Sequence, residues 1–67
     1  MDVEFLPRPE VERVTTHSRA EIHRRVRDGR MPAPIRLSRN RVAWIRTEIE
    51  NYLRTLIAAS RGDGGLR

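Results

Sequence analysis

The chain has no cysteine and no lysine, only three aromatic residues, and just one glycine, Gly29, ahead of its last six positions. Without cysteine there are neither disulfide staples nor a thiolate metal site, which is compatible with a reducing compartment such as the cytoplasm. No apolar run approaches the roughly 18 residues that a membrane span requires. The start Met1-Asp2-Val3-Glu4 is acidic, where a signal peptide is basic, so a soluble, unprocessed protein is expected. At 67 residues the chain allows one domain and one modest core.

What is present is arginine. All 14 basic residues are Arg, a bias that fits a GC-rich coding sequence and selection for guanidinium chemistry equally well. Nine of them (19, 24, 25, 27, 30, 36, 39, 41 and 46) lie between Ser18 and Arg46 against two acids, Glu21 and Asp28, so this segment carries +7. The remainder of the chain carries −2. A concentrated cationic centre between weakly acidic flanks is the footprint of a phosphate binder, although charge alone also fits a solvated face.

The local signals divide the chain into three helices and a hairpin. Pro7-Arg8-Pro9-Glu10 reads as a helix start, with Val11 and Val14 as a short apolar stripe that Thr15-Thr16-His17 ends. Ser18-Arg19-Ala20-Glu21 matches a capping box, in which the Ser hydroxyl accepts from the third amide and Glu21 reaches back to the Ser18 amide. Ile22 and Val26 then share a face and Asp28-Gly29 closes a second helix over about 19–28.

Pro32 and Pro34 forbid further helix, and Ile35-Arg36-Leu37 and Val42-Ala43-Trp44 alternate around the polar Ser38-Arg39-Asn40-Arg41, as in a small β-hairpin. Thr47-Glu48-Ile49-Glu50 is a second capping box. Apolar residues at 49, 52, 53, 56 and 57 continue it as an amphipathic helix to about Ala59. The expected fold is mainly α with a small β-hairpin wing, a winged helix-turn-helix of order α-α-β-β-α over residues 1–59. Residues 60–67 are expected to be a disordered tail.

With Ile22 and Val26 turned inward, the second helix presents Ser18, Arg19, Ala20, His23, Arg24 and Arg27 outward. Arg19 and Arg24 are the candidates for bidentate pairing with guanine, and Ala20 either approaches a thymine methyl or is simply a helix former. His23 can touch base or phosphate, and Arg27, further along, suits the backbone. Arg25 lies nearer the buried side, its stem packing and its guanidinium at the rim.

Arg39, Asn40 and Arg41 form the tip of the wing, with Arg36 on the strand opposite. These either lie along a backbone or minor groove or serve solubility. Trp44 can stack a base or fill the core; its place in the alternating strand favours the core, as a lid over Val14, Ile22 and Leu53. Tyr52 has the same structural reading.

Little supports catalysis. His17 and His23 are six apart and do not share a helix face, no glycine-rich phosphate loop exists, and Glu48 and Glu50 are explained as helix-start acids. No cofactor and no metal is expected, and the protein is expected not to be an enzyme.

From Phe5-Leu6 to about Ala59 the chain resembles the AlpA family of small phage-type regulators, grouped with MerR-like and excisionase-like winged helix proteins. The matching residues are Pro9-Glu10-Val11, Ser18-Arg19 with Ile22 and Arg24, and Asp28-Gly29-Arg30-Met31-Pro32-Ala33-Pro34. Val42-Ala43-Trp44 and Glu48-Ile49-Glu50-Asn51-Tyr52-Leu53 complete them. The Gly-x-x-Pro-x-Pro passage with a Trp ten residues later is the most specific part.

The resemblance implies a prophage or mobile-element origin and a role on double-stranded DNA, either in transcription regulation or as an excisionase in DNA recombination. It further implies integrase as a possible partner, cooperative self-association on DNA, and a cytoplasmic, nucleoid-associated location. The chain departs from the family in having Thr16-His17 where Gly-Leu is usual before the Ser, and His23 where Tyr is usual after the Ile. An alternative of another class is an accessory protein-interaction module that docks on an integrase through the third helix.

Overall fold

A computed structural model describes residues 2–62. The elements are β1 (Phe5–Pro7), α1 (Arg8–Thr15), α2 (Arg19–Arg27), β2 (Ile35–Ser38), β3 (Arg41–Ile45) and α3 (Arg46–Gly62). The three strands form one antiparallel sheet in the order β1-β3-β2. This is a winged helix-turn-helix, mainly helical, in which the expected hairpin gains a third strand.

That strand is the first departure from the sequence reading. Phe5, Leu6 and Pro7 pair with Ile45, Trp44 and Ala43, and the Arg46 amide extends the ladder by donating to the Glu4 carbonyl at 2.8 Å. Three residues ending in proline give no alternating pattern. Proline is tolerated here because β1 is an edge strand.

The start of α3 moves as a consequence. The helix begins at Arg46, directly off β3, so Thr47 lies inside its first turn instead of capping it. Glu50 does not reach back to Thr47. Arg46 takes it, donating from Nε at 3.0 Å while its Nη1 reaches Glu4 at 2.6 Å, and a charged donor outcompetes a neutral amide. At its other end α3 continues through Ser60, Arg61 and Gly62, three residues past the expected stop at Ala59. The rest of the expected tail, 63–67, lies outside the described residues.

The core consists of Val11, Ile22, Met31, Trp44, Ile49 and Tyr52, with Leu6, Val14, Val26, Val42, Leu53 and Leu56 packed against it. Trp44 is 2% exposed and donates its indole N–H to the Pro32 carbonyl at 2.9 Å, so it is a core residue and does not stack a base. Val14, Ile22 and Leu53 belong to the same core, and Met31, from the loop after α2, completes its floor. No described helix is long and apolar enough to cross a membrane.

Candidate nucleic-acid interface

Helix α2 is fixed at both ends by local chemistry. Ser18 Oγ accepts from the Glu21 amide at 3.1 Å, which satisfies one of the free donors of the first turn. The reciprocal half of the capping box is absent, because the Glu21 carboxylate turns to Arg25 Nε at 2.9 Å. At the C-terminus Gly29, at φ 75°, donates to Val26 and Arg30 donates to Arg25, the paired bonds of a Schellman motif.

Ile22 is buried and Val26 half-buried, which leaves Arg19, Ala20, His23, Arg24 and Arg27 to line one open depression along the outer face of α2. No carboxylate among the described residues lines it, and of its members Arg27 is already engaged, with Nε 3.4 Å from Asp28. Ser18 is exposed beside this face, its oxygen occupied as the cap.

The wing stands across a cleft from the start of α2. Its two-residue turn, Arg39-Asn40, joins Ser38 to Arg41, and the ladder shifts register between Arg36 and Ser38. Neither turn residue has positive φ, so the turn lacks the twist of the primed hairpin types; the irregularity at Leu37 absorbs the mismatch. Arg36 donates to the Arg39 carbonyl at 3.2 Å and so braces the tip from the opposite strand. Arg19, Arg36, Arg39, Asn40 and Arg41 all line the same cleft, and so does Arg8, which the sequence presents only as part of a helix start outside the +7 segment.

Pairing divides the arginines into two sets. Arg13, Arg25, Arg27, Arg30 and Arg46 each have a carboxylate within ion-pair distance: Glu10, Glu21, Asp28 for two of them, and Glu4 with Glu50. Among the described residues, Arg8, Arg19, Arg24, Arg36, Arg39, Arg41, Arg54 and Arg61 have none. Six of these eight line the depression of α2 or the cleft beside the wing, and the other two, Arg54 and Arg61, lie on α3. Most of the positive charge without a neighbouring acid is therefore gathered on the α2 and wing surface, where an anionic polymer meets it at little desolvation cost.

The model of the family described as prophage CP4-57 regulatory protein (AlpA) matches residues 4–57, most of the chain. The chain belongs to the AlpA family. No curated protein and no solved structure matches it significantly.

In this AlpA-family chain Thr16, His17 and His23 have distinct structural roles. Thr16 adopts φ 59°, ψ 15°, the left-handed region that glycine occupies without strain. His17 is drawn inward, where its Nε2 and the Tyr52 hydroxyl share a hydrogen bond of 2.9 Å and the rings meet edge to face. Arg25 donates to the same hydroxyl at 3.2 Å, so the single Tyr52 O–H is free to point at His17. His23 stays exposed on the α2 face.

This chain of polar groups ties the turn, α2 and α3 together. Arg25 thus has a buttressing role, in keeping with a stem that packs and a head at the rim. Its guanidinium pKa is raised, chiefly by the hydrogen bond to Glu21, and the Glu21 carboxyl is lowered chiefly by the same bond. Neither side chain is disposed toward the open face.

Proposed function

We propose that the protein is a sequence-specific double-stranded-DNA-binding regulator of a prophage or mobile element, acting on transcription or as an excision factor. The observation that carries this reading is the continuous set of arginines without acidic partners across the outer face of α2 and the cleft beside the wing. Membership in a family of prophage regulatory proteins supports it.

In this reading α2 enters the major groove and the wing follows the adjacent backbone. Arg19 and Arg24 read base edges, Ala20 allows close approach to a thymine methyl, and His23 contacts base or phosphate. Ser18 and Arg27 hold the backbone at the two ends of the helix, while Arg39, Asn40 and Arg41 engage it from the wing with Arg36 holding their turn. No cofactor takes part.

Selection from a random duplex pool near physiological salt tests the reading. A short enriched motif is expected, and Arg24→Ala should weaken binding to it by about 1–3 kcal/mol while relaxing the preference at one position. Retention without enrichment, vanishing as salt rises, would leave only a basic surface.

The outer half of α3 favours a second reading, docking on an integrase. Ile49 and Tyr52 are spent on the core, but Ile57 is 49% exposed beside the half-buried Leu53 and Leu56. Ile57→Asp is expected to abolish capture of the integrase and leave duplex affinity unchanged. Retained capture would remove α3 from that role.

A further inference from the structure

The cleft beside the wing exists because β1 is short. Pro7 is the last residue of β1, paired with Ala43, and the chain then turns away into α1. Arg41 and Val42 of β3 are left without a partner strand on that side, and the notch lies between this bare edge, the start of α1 and the start of α2. Arg8, Arg19, Arg36, Arg39 and Arg41 converge on it from α1, α2 and the wing, and no carboxylate among the described residues lines it.

Arg8 differs from the wing arginines in its seating. It is half-buried, and it also lines a smaller pocket floored by Ile22, Val26, Pro34 and Trp44 and rimmed by Arg19 and His23. Half-buried beside these apolar residues, Arg8 has no carboxylate partner among the described residues. A guanidinium held this way loses less side-chain freedom on binding than a free surface arginine. Arg8 is also the first residue of α1, where the helix dipole adds positive potential.

Guanidiniums drawn from α1 and the wing around an open notch, with the base-reading Arg19 at its α2 margin, suit successive phosphates of one strand better than a single small anion. We infer that this cleft seats the phosphodiester backbone that runs between the groove entered by α2 and the one reached by the wing, with Arg8 as a phosphate-contacting residue of the site. The inference rests on the duplex-binding reading and extends it to α1, an element that the charge distribution of the sequence leaves out. The backbone is then gripped from both sides, which fixes the register of α2 against the bases.

The test uses the full chain and a duplex bearing its selected motif. Affinity is measured across a salt series for the wild type, Arg8→Ala, Arg8→Lys and Arg13→Ala, the last removing an arginine of the same helix that is ion-paired to Glu10. Arg8→Ala is expected to reduce the slope of log K against log salt by about one and to leave the selected motif unchanged. Arg8→Lys should restore the slope, and Arg13→Ala should not alter it.

Replacing single phosphates by neutral methylphosphonates should reveal one linkage whose neutralisation weakens the wild type but has no further effect on Arg8→Ala. A wild-type slope in Arg8→Ala, or additive effects at every linkage, would overturn the assignment while leaving duplex binding intact. Failure of the wild type to bind any duplex would overturn both. Thermal melts of each variant separate a missing phosphate grip from a damaged fold.

Discussion

Two residues at helix ends take left-handed backbone, and they do so at opposite cost. Gly29 stands where a Schellman motif needs positive φ, with open space around it, so Gly29→Ala is expected to cost about 1 kcal/mol from backbone strain alone. Thr16 is a β-branched residue at φ 59°, a conformation such side chains disfavour. Its hydroxyl offsets part of the strain by donating to the Thr15 carbonyl at 2.5 Å, and Thr15 itself bonds back to Val11 and accepts from His17. Thr16→Gly is expected to raise stability by about 0.5–1 kcal/mol, a shift of a few degrees in Tm. An unchanged or lower Tm would mean that the hydroxyl contributes more than the strain removes. Gly29 was legible from the sequence because Asp-Gly after an amphipathic stretch is a stop signal. Thr16 was not, since a threonine there signals only the end of the helix.

At the scale of elements, the helices were legible wherever a stop or an apolar stripe was local, and the errors came from competing partners. Both capping boxes lost their acids to arginines four residues away, Glu21 to Arg25 and Glu50 to Arg46, and β1 became a strand only because Trp44 and its neighbours, distant in sequence, are there to pair with it. The Glu21–Arg25 pair has a consequence for pH. Its carboxyl titrates below the ordinary glutamate value, first because Arg25 donates to it, so the folded state holds the ionised form more favourably than the unfolded chain does. The stabilisation is complete above the unfolded pKa, about 4.3, and is lost as pH falls through the lower folded value. Glu21→Gln is therefore expected to melt below the wild type at pH 7, the gap closing in the acid range. A gap that persists undiminished at the lowest pH would mean that Glu21 acts through packing and not through its charge. Because Arg25 also holds Tyr52, the same variant should loosen the seating of α2 on α3.

For the whole molecule, the +7 segment of the sequence becomes a surface by sorting as well as by proximity. Four of its nine arginines, 25, 27, 30 and 46, are ion-paired, whereas 19, 24, 36, 39 and 41 are not paired with any carboxylate among the described residues and Arg8 joins them from outside the segment. The sequence showed where charge was dense. It did not show which charges the fold would neutralise, because Glu4 and Arg46 lie far apart along the chain. Net charge and local placement then make different predictions for binding. If placement governs, Arg39→Ala with Arg41→Ala should lower the salt slope of duplex binding by about two, one for each phosphate that the wing no longer grips. Arg46→Ala removes one positive charge but lies beside Glu4 and Glu50, in a groove that contains none of the cationic face, and it should leave the slope unchanged. Comparable reductions per charge from the wing pair and from Arg46 would show that the molecule is drawn to DNA by its overall charge and that the wing does not touch the backbone.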